Sequence, residues 1–244
     1  MSTIRNNDEK STRKSCTECR FHDFSVFKNC PPGVLEDAFS NRSMRSYAKG
    51  DVLMSQGDAF SGVYCIQEGM VKVTRIGNKN KEFILWFAHP GDIIGMDSFM
   101  SNDSYSFSST ALEPVSACFI PASDFKNLLT RDPLLSIGLM KDMCDKINFI
   151  EERITSIARK KIKEHFAEML ISLAVKNKKL PGGDIPVNCS VKDLADIIGT
   201  TKHYLYKILS DFSDKKVISV RNRKLVIRNM DKLSMIAVGD EPLV

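Results

Sequence analysis

Two groups of residues in this 244-residue sequence carry side chains fit for chemistry, and neither is arranged for catalysis. The first comprises Thr201, Lys202, His203, Tyr206 and Lys207, followed by Arg221, Arg223 and Lys224. Hydroxyl, ammonium, imidazole, phenol and guanidinium groups in that order suit phosphates and base edges. The second group is cysteine. Three of the seven, Cys16, Cys19 and Cys30, bunch near the N-terminus, where they could serve a metal site or a redox disulfide. Cys65, Cys118, Cys144 and Cys189 stand singly and read as ordinary buried small residues. The four histidines, His22, His89, His165 and His203, lie far apart, without a nucleophile–base motif or a phosphate-binding loop. Recognition is expected, and not an enzyme.

Local signals say how the first group is positioned. Ser190-Val-Lys-Asp193 opens a helix, its hydroxyl and acid satisfying the first free amides. Leu194, Ala195, Ile197 and Ile198 supply the inner face, and Gly199 ends the helix in a tight turn. Thr200 or Thr201 then caps a second helix from Lys202 to Phe212, buried through Leu205, Ile208 and Leu209. A short helix, a glycine turn and a second capped helix make a helix-turn-helix, whose second helix enters the major groove of double-stranded DNA. Val217 to Val220 and Leu225 to Ile227 read as a hairpin, with Arg221, Arg223 and Lys224 at its tip as a wing.

Charge agrees. The segment from Lys161 to Val244 holds 15 Lys/Arg against 10 Asp/Glu, which is the whole formal net charge of +5. Phosphate backbones are the natural partner of such a segment. No apolar run approaches the roughly 20 residues of a membrane span. The start of the chain carries no signal-peptide core, so a cytoplasmic location without membrane contact is expected.

Upstream, short apolar runs alternate with glycine from about Met44 to Phe125, which describes a compact β barrel or sandwich. Beyond Pro133 the period changes. Met140, Met143, Ile147, Ile150, Ile154 and Ile157 are spaced 3, 4, 3, 4, 3, an a/d seam that favours a homodimer over packing on the chain's own β-domain.

The stretch CSVKDLADIIGTTKHYLYKILSDFSDKKVISVRNRKLVI closely resembles the DNA-binding module of the Crp/Fnr family of bacterial regulators. KGDVLMSQGD, EGMVKV and PGDIIG fall where that family's β-roll has its glycines, and the resemblance covers about Met44 to Lys232. It implies an α+β fold: an N-terminal cyclic-nucleotide-binding-type β-roll, a long dimerisation helix and a C-terminal winged helix-turn-helix. On this reading residues 1–30 are a flexible arm with the cysteine cluster and 31–132 the β-roll sensor. Residues 133–160 are the dimerisation helix and 161–244 the DNA-binding domain. The resemblance also implies a homodimer on a palindromic promoter site, with RNA polymerase as a further partner.

The resemblance bears on the signal too. Cyclic AMP binders of the family carry a Gly-Glu-Leu-like stretch and an Arg-Ser pair. This chain has Gly95-Met96-Asp97 and, at about the second place, Tyr105-Ser106, so no arginine pairs a phosphate and cyclic AMP is not expected. The family's oxygen-sensing branch ligates a [4Fe-4S] cluster with N-terminal cysteines and one from the β-roll. Cys16, Cys19 and Cys30 resemble the former and Cys118 the latter, although ten residues separate Cys19 from Cys30, more than in that branch. Thiol or disulfide chemistry, a zinc site and a small effector in the β-roll remain open. A nucleotide-binding signalling module is the rival of a different class.

Overall fold

The computed structural model describes residues 40–77, 82–101, 104–176, 185–187, 189–221 and 224–240, together with Cys19, Phe27, Gly33 and Leu35. The chain divides into two compact units, Met1–Lys146 and Ile147–Val244.

Unit one is a β-roll of two four-stranded antiparallel sheets. One has the order β1 (Ser43–Tyr47), β8 (Val115–Pro121), β3 (Gly62–Glu68), β6 (Ile93–Ile94). The other runs β2 (Val52–Met54), β7 (Ser108–Ala111), β4 (Val71–Ile76), β5 (Glu82–Ala88). A short helix α1 (Met96–Ser101) follows β6, and α2 (Ala122–Arg131) follows β8.

β3 and β8 are near-continuous apolar runs because both of their faces are covered. Tyr64, Ile66, Ala117 and Phe119 face the second sheet, in a core with Val71, Val73 and Ala111. Val63, Cys65, Cys118 and Ile120 face the other way, against Phe125 and Leu128 of α2 and against Phe27 and Leu35. Phe125 and Leu128 are fully buried, which contributes about 1.5–3 kcal/mol for each side chain. Gly62 permits the close approach of β3 to β8, since a Cβ there would strike the Ile120 carbonyl and the Phe119 ring.

Helix α3 (Pro133–Arg159) opens with its proline at the first helical position. The Asp132 carboxylate caps it, accepting from the amides of Leu134 at 3.0 Å and Leu135 at 3.2 Å. Leu135 and Leu139 are buried against the roll, and Met143 packs partly buried on the same core. The unit boundary falls inside this helix.

In unit two the chain breaks at Lys160-Lys161 and restarts as α4 (Ile162–Lys176). Glu164 accepts from the Lys161 amide at 3.1 Å, the returning half of a capping box. Next come β9 (Ile185–Val187), α5 (Val191–Ile198), α6 (Lys202–Asp214), β10 (Ile218–Arg221), β11 (Lys224–Ile227) and α7 (Met230–Ala237). The three strands form one antiparallel sheet in the order β10, β11, β9. Phe166 of α4 and Phe212 of α6, both fully buried, lie 5.8 Å apart between ring centroids at the centre of this unit.

Candidate nucleic-acid interface

The α5–turn–α6 unit is built by its caps. Ser190 Oγ accepts from the Asp193 amide at 3.1 Å and so starts α5. Gly199, at φ +72°, adopts the left-handed conformation that ends it, and the Thr200 amide reaches back to the Ala195 carbonyl at 2.9 Å. Thr201 Oγ1 accepts from the Tyr204 amide at 3.2 Å and starts α6 two residues after the glycine. Leu205, Ile208, Leu209 and Phe212 bury one side of α6.

The opposite side is open. Thr201, Lys202, His203, Tyr206 and Lys207 are all exposed, together at the N-terminal end of α6. Tyr206 keeps 58% of its surface, far more than a phenol ring with a packing role. Sequence reasoning missed Tyr204, which is also exposed. Its position one residue before the buried Leu205 marks it as a flank of the same face, a signal that helical spacing already contained.

The hairpin lies downstream, with Arg221 and Lys224 as register partners across β10 and β11. Those two residues are placed on the strands, and Arg223 lies outside the described residues. At the hairpin root Arg228 Nε donates to Ser219 Oγ at 2.8 Å.

On α3, Met140, Ile147, Ile150 and Ile154 are exposed, with Ile137 continuing the stripe and the exposed Cys144 among them. Met143 of the expected seam turns instead toward the β-roll core, and Ile157 is placed on the helix by its backbone.

A second cluster sits in unit one. Cys65 of β3 and Cys118 of β8 are directly opposite, both in the core cluster that faces α2. The Gln67 side chain joins Cys65 to the N-terminal segment, its Nε2 donating to Cys65 Sγ at 3.6 Å. Its Oε1 accepts from Cys19 Sγ at 3.0 Å. Cys16 and Cys30 lie outside the described residues, and among the described residues no group of three His, Cys, Asp or Glu could hold a metal ion. Sequence reasoning treated Cys65 as a solitary buried thiol; only the strand register brings it to Cys118.

Tyr105, the residue that the resemblance sets at about the place of the cyclic AMP binders' arginine, points inward. Its hydroxyl donates to the Gly62 carbonyl at 2.8 Å and accepts from the Gly62 amide at 3.2 Å. The ring packs against Phe60, centroids 5.3 Å apart.

Two domain families match this chain in the order that the fold requires. Residues 44–132 match the cyclic nucleotide-binding domain, and residues 164–236 match the Crp-like helix-turn-helix domain. The chain belongs to the Crp/Fnr family. Among Crp/Fnr relatives, it is 27% identical over 225 residues to the anaerobic regulatory protein of Aggregatibacter actinomycetemcomitans, covering 88% of this chain and 87% of that one. It is 25% identical over 244 residues to electron transport regulator A of Shewanella oneidensis, covering 96% and 97%. FixK2 from Bradyrhizobium japonicum superposes with a TM-score of 0.72 at 19% identity, over 83% of this chain and 98% of that one, and shares the fold. This Crp/Fnr chain is a transcription regulator with a helix-turn-helix and not an enzyme.

Proposed function

We propose that this regulator binds double-stranded DNA as a homodimer and is gated by a redox signal through its cysteines. The observation that carries the reading is the exposed Lys202, His203, Tyr206 and Lys207 face at the capped end of α6. His203 and Tyr206 read base edges, while Thr201, Lys202, Lys207 and the wing residues Arg221, Arg223 and Lys224 contact phosphates. The exposed stripe of Met140, Ile147, Ile150 and Ile154 supports pairing with a second copy, and Ile157 continues the same spacing in the sequence. A twofold dimer implies an inverted repeat with half-sites about one helical turn apart. A seam this apolar keeps the dimer together in both states, so the signal reorients the DNA-binding units. RNA polymerase is the further partner and the cytoplasm the site of action; among the described residues no helix is long and apolar enough to cross a membrane.

The candidate cluster ligands are Cys16, Cys19, Cys30 and Cys118. Cys19 and Cys118 reach the same corner of the β-roll through Gln67 and Cys65, and thiolate is the donor that an iron–sulfur group takes. The two described ligands therefore fit. When bound, a [4Fe-4S] group would supply oxygen-reactive electron-transfer chemistry. Cys118 would anchor the N-terminal segment to β8, so loss of that tie changes what rests on the sensor sheet. Relatives named for anaerobic regulation and electron transport favour such a signal. Tyr105, already engaged with Gly62, supports the exclusion of cyclic AMP.

Anaerobic purification with iron, sulfide and zinc analysis and a visible spectrum tests the gating. A brown protein with about four irons per chain, bleached by air, is the expected result. A colourless, iron-free protein from anaerobic cells would overturn the cluster while leaving the DNA-binding reading intact.

A further inference from the structure

We infer that the β-roll binds a small organic monocarboxylate at Arg45, with Tyr47 and Tyr64 beside it. Register sets Arg45 of β1 opposite Ala117 and Tyr47 opposite Val115, both members of the inner core, so the two side chains turn into the roll. The Arg45 guanidinium lies over the Phe119 ring, 3.5 Å from its centroid. Its Nη1 donates to the Tyr64 hydroxyl at 3.2 Å. Tyr64 shares a further hydrogen bond with Tyr47, whose ring stands edge-on to it at 6.5 Å.

This cation is short of partners. A guanidinium donates from all around its rim, and a ring beneath its face leaves that rim open. Tyr64 takes one of the N–H groups, and among the described residues no carboxylate pairs with Arg45. Nor does Tyr64 offset the charge. Burial, the largest influence, pushes its hydroxyl above the usual phenol range against the pull of Arg45, so the phenol stays neutral. A half-buried positive charge with free donors favours an anion.

The surroundings select which anion. The guanidinium fork matches the paired oxygens of a planar carboxylate. Tyr47, Tyr64 and Phe119 wall the place with rings, which suits a short apolar body behind the carboxylate better than a hydrated inorganic ion. A second polar group faces the same core. Ser109 lies opposite Val73, and its fully buried hydroxyl has no hydrogen-bond partner among the described residues. Entry is from the rim, because β1 is an edge strand and Arg45 and Tyr47 are only half-buried. β6, which leads into Gly95-Met96-Asp97, is the opposite edge of the same sheet. Arg45 thus reaches in from the side away from the stretch that cyclic AMP binders of the family use.

The test is a titration of the full chain with butyrate, followed by calorimetry and by thermal melting, with ionic strength held constant by chloride. Butyramide serves as the uncharged isostere. Butyrate should bind saturably and raise the thermal midpoint, and butyramide should do neither. Arg45→Gln should weaken butyrate by about tenfold, the loss of a charged hydrogen-bonding partner. Arg45→Lys keeps the charge but not the fork and should also weaken it, which guards against a glutamine variant that fails to fold. No binding to wild type, or equal binding to wild type and both variants, would overturn the inference. So would inorganic phosphate binding as tightly as butyrate and losing its affinity in the same variants. The inference does not rest on the cluster, and iron analysis of the same batch keeps the two apart: iron without butyrate binding sinks only the carboxylate site, and butyrate binding without iron only the cluster.

Discussion

Lys163 Nζ of α4 lies 2.7 Å from Asp211 Oδ2 of α6, and Lys215 Nζ approaches the other oxygen at 3.4 Å. Lys163 fastens the helix carrying the recognition face to the helix behind it, while Lys215, the C-cap residue of α6, meets the same carboxylate from within its own helix end. Desolvation opposes the Asp211 charge, but the hydrogen bonds and charges of Lys163 and Lys215 outweigh it and hold the carboxyl below its usual range. A depressed carboxylate stabilises the fold above its unfolded value, and that contribution disappears as pH falls through the folded one. Asp211→Asn should therefore lower the thermal midpoint by a few degrees at pH 7. The cost is about 1 kcal/mol or less because the pair is partly screened by solvent. The difference from wild type should vanish in melts at strongly acidic pH.

Asp97 runs in the opposite direction. Burial, the largest influence, raises its carboxyl above the usual range despite hydrogen bonds to its own and the Ser98 amide and side chain. Stability from this group is fully present at low pH and falls as pH rises from the unfolded toward the folded value. Asp97→Asn should raise the midpoint of the β-roll near neutrality, with no gain at low pH, as followed by circular dichroism.

Two glycines should respond differently to the same change. Nothing lies within 4 Å of a Cβ at Gly199, so Gly199→Ala meets only the left-handed backbone. That costs about 1 kcal/mol. At Gly62 the added methyl meets the Phe119 ring and the Ile120 carbonyl, the latter backbone against which β3 cannot yield. Gly62→Ala should cost more than Gly199→Ala in denaturant titrations, although Gly199 shapes the recognition turn.

Base readers and phosphate contacts should separate in binding curves. Lys207→Ala should weaken all duplexes alike and reduce the salt slope by about 1. His203→Ala and Tyr206→Ala should instead relax sequence preference, at about 1–3 kcal/mol between the selected site and its single-base variants.

The α3 stripe predicts that Ile147→Glu with Ile154→Glu shifts the protein to monomer in sedimentation while leaving the far-ultraviolet spectrum intact. Both side chains are exposed in the single chain, so the charges cost little in the monomer and are buried only by pairing. An unchanged dimer would place the interface elsewhere.

The helix-turn-helix was legible because its signals are local. Ser190, Gly199 and Thr201 are caps whose side chains act on the nearest backbone, and the structure uses each one. The glycine-punctuated strands were legible for the same reason, and so was the break at Lys160-Lys161. What escaped depends on contacts distant in sequence. No spacing announces that Cys65 faces Cys118, which follows from strand register, or that Met143 turns inward to the roll while Met140 and Ile147 stay outside. β9, which joins the wing as a third strand, is only three residues long, too short for periodicity to register.

The most direct test of the central claim is selection of duplexes from a random-sequence pool by the anaerobically purified full chain. An inverted repeat with half-sites about one helical turn apart should emerge, and His203→Ala with Tyr206→Ala should abolish its enrichment. Enrichment that survives that double substitution, or the absence of any selected duplex, would contradict recognition through α6.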